Sequence, residues 1–100
     1  MKVVYTAQSL MSLEEALRFL LAQDIPVEKV ALILEDLLNK ADSLAANPHK
    51  GQREPYLEHL KEGHRRIVAG HFKVIYKVDP PMVFITDFFD TRQSPGKMKG

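Results

Sequence analysis

The stretch from Phe72 to Phe89 leaves this chain the fewest choices of fold. In Phe72–Val78 one parity holds Phe72, Val74, Tyr76 and Val78, and the other holds Lys73, Ile75 and Lys77. Successive strand side chains point to opposite faces. The pattern predicts a strand with a core wall on one side and a wet, positively charged surface on the other. Asp79-Pro80-Pro81 is a turn signal. Val83–Phe89 beyond it is apolar on both parities apart from Thr86 and Asp87, which suits a central strand buried on both sides. With the run after Gly63, set off by Gly70, this makes a three-strand antiparallel meander. The chain ahead must cover its core wall.

That earlier chain reads as a strand and two helices. Lys2–Thr6 alternates Val3 and Tyr5 against Lys2 and Val4. Ser12 with Glu15 three residues on matches a capping box and predicts a helix start. Leu13, Ala16, Leu17, Leu20 and Leu21 follow at helical spacing. Asp24-Ile25-Pro26 breaks that helix, with Pro26 suited to the first turn of the next. Val27, Val30, Ala31, Leu34, Leu37, Leu38, Ala41, Leu44 and Ala45 form a second stripe that Asn47-Pro48 stops. The short link predicts an antiparallel helical hairpin. His49–Glu62 is the least legible part: Gly51 and Pro55 argue for a loop, and Tyr56, Leu57 and Leu60 for one helical turn. The last few residues read as a free tail. The expectation is an α+β fold over residues 1–100, one domain, with the helices on one face of the sheet.

Composition narrows the function classes. One hundred residues suffice for a two-layer core. Without cysteine, disulfides and thiolate metal sites are excluded, and a reducing, cytoplasmic setting is expected. No apolar run approaches the ~18 residues that span a bilayer, so no membrane role is expected. Residues 1–48 carry four Lys/Arg against seven Asp/Glu, a net −3, while residues 49–100 carry ten against six, a net +4. Such polarity points the strand half toward something anionic.

His49, His59, His64 and His71 lack the spacing of a metal site. There is no glycine-rich phosphate loop, no Gly-x-Ser-x-Gly elbow and no thiol nucleophile. Neither a cofactor nor a metal is expected. What remains is a basic set, Arg65, Arg66, Lys73, Lys77, Arg92, Lys97 and Lys99. If these side chains converge on one groove they would neutralise phosphates, with His71 as a proton-transfer candidate. The plainer reading is a solvated sheet face that an acidic partner covers.

The element order, the strand motif Lys73, Tyr76, Val78, and the closing Phe88, Arg92, Gln93, Pro95 together resemble the RelE/ParE superfamily of bacterial toxins. The resemblance covers nearly the whole chain. It implies the toxin of a type II toxin–antitoxin module of the plasmid-stabilisation kind. Such a toxin causes growth arrest, and a cognate antitoxin, usually acidic where it binds, neutralises it within a hetero-oligomer.

Two activities divide that superfamily. RelE-like members cut mRNA in the ribosome, and the resemblance then makes Arg66, Lys73 and Arg92 catalytic. ParE-like members poison DNA gyrase by binding and are not enzymes, which leaves Arg65, Lys73, Lys77, Arg92, Lys97 and Lys99 as target-binding residues. No tyrosine or histidine follows Arg92, so the 2′-hydroxyl of RNA has no evident base, and the ParE branch is favoured. A peptide-binding relative without toxicity is the remaining alternative.

Overall fold

A computed structural model describes residues 1–100. β1 (Lys2–Tyr5), α1 (Ala7–Ala22) and α2 (Val27–Asp42) come first, followed by β2 (Gln52–Arg53), β3 (Arg65–Ala69), β4 (Phe72–Asp79) and β5 (Met82–Asp90). The strands form one sheet in the order β1-β5-β4-β3-β2. β1 runs parallel to β5, and every other neighbouring pair is antiparallel. The meander is thus β3–β5, flanked by β1 on one side and the two-residue β2 on the other. No helix is long and apolar enough to cross a membrane.

α1 begins before the point that the capping pattern marks. Thr6, not Ser12, is its cap: Thr6 Oγ1 accepts from the Ser9 amide at 3.2 Å, and the Ser9 hydroxyl donates to the Thr6 carbonyl at 2.8 Å. The Thr6 amide and hydroxyl both donate to the Ile85 carbonyl, at 3.2 and 2.7 Å. One residue therefore ends β1, grips β5 and opens α1. Ser12 and Glu15 fall inside the helix. The stripes hold except at Leu21 of α1 and at Val27 and Ala31 of α2, which lie outside the sheet's cover and are exposed, Val27 by 68%.

Leu13 and Leu20 of α1, Val30, Leu37 and Ala41 of α2, and Leu44 just beyond it pack on Val74, Tyr76, Val83, Ile85 and Phe88. The pattern in β5 has a structural cause. Tyr76 pairs with Ile85 but Ile75 pairs with Asp87, so Thr86 is an extra residue that resets the side-chain parity. Val83 and Ile85 before the bulge and Phe88 after it all reach the helix side. Phe89 goes to the other face.

That other face is not simply wet. Ile75, on the lysine parity, is fully buried in a small second core with Leu57, Phe89 and Met98. Leu57 belongs to a 3-10 turn over Pro55–Leu60 in the stretch that was hard to read. Met98 comes from the C-terminal segment, which is no free tail. The Lys99 amide donates to Asp87 Oδ2 at 3.0 Å, its carbonyl accepts from the Thr86 hydroxyl at 3.3 Å, and the Gly100 carbonyl accepts from Gln8 at 2.9 Å.

Gly51 is held where no side chain fits. Its amide donates to the buried Tyr76 hydroxyl at 3.0 Å, and a Cβ there would stand 2.5 Å from the Arg66 carbonyl oxygen and 2.6 Å from that hydroxyl. Gly51→Ala is expected to lower stability in urea unfolding by about 1–3 kcal/mol through overpacking. Gly96→Ala, where the nearest atom is 4.0 Å away, is expected to leave the midpoint nearly unchanged.

Candidate functional site

The meander places Arg66, Lys73 and Lys77 on the sheet face opposite the helices, because Arg66 pairs with Ile75 and Lys73 and Lys77 flank it on β4. Arg66 and Lys73 converge, but on a carboxylate of the chain itself. Lys73 Nζ donates to Glu54 Oε1 at 2.8 Å, and Arg66 Nε stands 3.6 Å from the same oxygen. The Glu54 side chain is 0% exposed, against 18% for Lys73 and 23% for Arg66. Its Oε2 accepts from the Tyr56 amide at 3.2 Å, which caps the 3-10 turn. The Tyr56 ring lies 5.7 Å below the Lys73 ammonium. Arg66 also donates to the Arg53 carbonyl and to Gln52 Oε1.

The rest of the basic set is dispersed. Lys77 pairs with Glu62 at 3.0 Å. Arg65 lies on the helix side, opposite Tyr76, and donates to the Gly51 carbonyl at 2.7 Å. Arg92, past the end of β5, forks onto Asp90: Nε to Oδ1 at 2.9 Å and Nη2 to Oδ2 at 2.8 Å. The Arg92 guanidinium holds the Asp90 carboxyl below the usual carboxylate range. Lys97 and Lys99 are exposed and form no ion pair with the chain's own acids. His71 is exposed at the β3–β4 turn. A single groove gathering Arg65, Arg66, Lys73 and Arg92 does not exist. The reading from spacing missed Glu54; the Glu54-Pro55 pair, an acid directly before a proline at a helical first turn, was the local signal available.

A groove of about 810 Å³ runs between α1 and the end of β5, closed below by the C-terminal segment. It exists because β1 stops at Tyr5, opposite Ile85, while β5 continues to Asp90. Phe19, Phe88 and Phe89 supply apolar wall, and Glu15, Arg92 and Lys97 line its rim. Phe19 is 54% exposed, one of several large apolar side chains that α1 leaves in solvent with Leu10, Met11 and Leu21. Asp87, buried at one end, has its carboxyl pushed up by desolvation despite the Lys99 amide.

His64 is buried with no hydrogen-bond partner on either ring nitrogen. Desolvation pushes its pKa down, opposed by Glu62 and reinforced by Lys77. A folded-state value below that of the unfolded chain means that the unfolded state binds the proton first. Stability is then full above the unfolded value of 6.5 and falls as pH drops below it. In urea titrations, the midpoint is expected to fall between about pH 7 and 5. His64→Leu is expected to flatten that slope; an equal slope in the variant would assign it to other groups.

A family model described as the ParE toxin of type II toxin–antitoxin system, parDE, matches residues 3–95. A search of curated proteins finds no match. The match runs from β1 through the sheet to the segment that follows Arg92, taking in both helices and the pairing that creates the groove. The chain belongs to the ParE toxin family, and is the toxin of a type II toxin–antitoxin system with a cognate antitoxin as its partner.

Proposed function

We propose that this toxin arrests growth by binding and inhibiting DNA gyrase through its basic end, Arg92, Lys97 and Lys99, and that it is not a nuclease. The observation that carries the reading is the capture of Lys73 and Arg66 by the buried Glu54 carboxylate. A ribonuclease would need those cations free for the charge that builds at phosphorus, and a base for the 2′-hydroxyl. Here they meet an acid, and His71 stands apart at an exposed turn. The cations at the far end are accessible: Lys97 and Lys99 are exposed, and half of the Arg92 side chain reaches solvent.

The cognate antitoxin is proposed to neutralise the toxin from the groove beside α1. Two features support that seat. Phe19, on the wall of the groove, offers apolar surface that the chain itself does not cover. The rim carries Arg92 and Lys97, which suit an acidic segment. One occupant would then cover both the apolar face and the end proposed to meet gyrase.

A supercoiling assay with purified toxin tests the reading. Block of supercoiling, or trapped cleaved DNA, is expected. Lys97→Gln with Lys99→Gln is expected to weaken inhibition roughly tenfold, from two exposed charge contacts at about 0.7 kcal/mol each. Growth arrest with untouched gyrase and new breaks in translated mRNA would replace this reading with the ribosome-dependent nuclease. Harmless expression without the antitoxin would leave only a binding module.

A further inference from the structure

We infer that Glu54 is a specificity-determining residue: its carboxylate occupies the place of a phosphate between Lys73 and Arg66 and closes this face of the sheet to nucleic acid. The inference rests on the geometry around Glu54 and stands whether or not gyrase is the target.

The donors around Glu54 are those that hold a phosphate. One oxygen meets an ammonium at 2.8 Å and a guanidinium nitrogen at 3.6 Å, and the other accepts a backbone amide at 3.2 Å. Lysine, arginine and main-chain N–H together are a typical oxyanion set. The difference is that the anion is covalently part of the chain. Its backbone is fixed as well, since the Glu54 amide donates to the His64 carbonyl at 2.9 Å at the edge of β3. A tethered carboxylate at this distance acts at high effective concentration, so an incoming phosphate must displace it and leave a buried charge unpaired. Tyr56, packed under Lys73, further limits the swing of the ammonium toward solvent. Arg66 is held from behind by Gln52 and the Arg53 carbonyl. The cations are therefore structural in this chain: one carboxylate engages both and lowers the cluster's charge from +2 to +1.

The test is binding of a short single-stranded RNA across a salt series by wild type and Glu54→Gln. Glutamine keeps the shape and can still cap Tyr56 while releasing both cations. Glu54→Gln is expected to steepen the plot of log affinity against log salt by about 1.4, roughly 0.7 for each freed cation. Glu58→Gln changes net charge equally at an exposed acid without an ion pair, and is expected to leave the slope nearly unchanged. Adding Lys73→Gln to Glu54→Gln is expected to return about half of the gain. Equal slopes for Glu54→Gln and Glu58→Gln would overturn the inference.

Should Glu54→Gln fail to fold, acetylation footprinting of the wild type decides. RNA is expected to protect Lys97 and Lys99 while leaving the rate at Lys73 unchanged. Protection of Lys73 in the wild type would overturn the inference. Gyrase inhibition measured on the same samples keeps the two proposals separable, because the RNA slopes do not depend on it.

Discussion

The pairing of β4 with β5 is the constraint on which the rest of the molecule depends. Its register is continuous except at Thr86, and that single extra residue decides which side chains meet the helices. Without the bulge, Phe88 would fall on the parity of Phe84, and the helix-side core would lose an aromatic. Phe89 would leave the second core, where Ile75, Leu57 and Met98 surround it. The bulge also frees the Thr86 hydroxyl and the Asp87 carboxyl to grip the C-terminal segment. One irregularity in one ladder thus supports a core on each face and fixes the basic end of the chain in place.

The same ladder distributes charge. Lys73 and Lys77 stand on the face turned from the helices, and each finds an acid from the segment between β2 and β3: Glu54 for the first, Glu62 for the second. The pair at Glu54 is largely shielded, so its Coulomb attraction is strong and its rupture costly. The pair at Glu62 is open to water and contributes little to stability. Arg92 is tied to Asp90 by a fork of two hydrogen bonds yet stays half exposed. A net charge of +1 therefore hides a molecule in which Arg66, Lys73 and Lys77 meet acids of the chain while Lys97 and Lys99 meet none.

Much of the fold was legible because its signals are local. Leucine stripes at helical spacing marked the hairpin, and Asp79-Pro80-Pro81 marked the turn between the long strands. The capping signal misled because Ser12 and Glu15 have the right spacing but lie inside the helix, while Thr6 serves as cap through a contact with β5 that spacing cannot reveal. The bulge at Thr86 left a trace, apolar residues on both parities, that has two explanations until the partner strand is known. The candidate site was less legible for a physical reason. Charges were read as solvated, but Glu54 meets Lys73 across nineteen positions of sequence, a pairing that only the sheet's register brings about. Met98 looked like part of a free tail since nothing local shows that Ile75 and Phe89 leave a space for it.

On the proposed function, the toxin meets gyrase with the accessible cations of its basic end, not with Lys73 and Arg66 held at Glu54. Chemical cross-linking of the toxin mixed with gyrase, read by mass spectrometry lysine by lysine, tests it most directly. Links from Lys97 and Lys99 to gyrase, with none from Lys73, are the expected result. Links from Lys73, or no link to gyrase from any lysine, would contradict it.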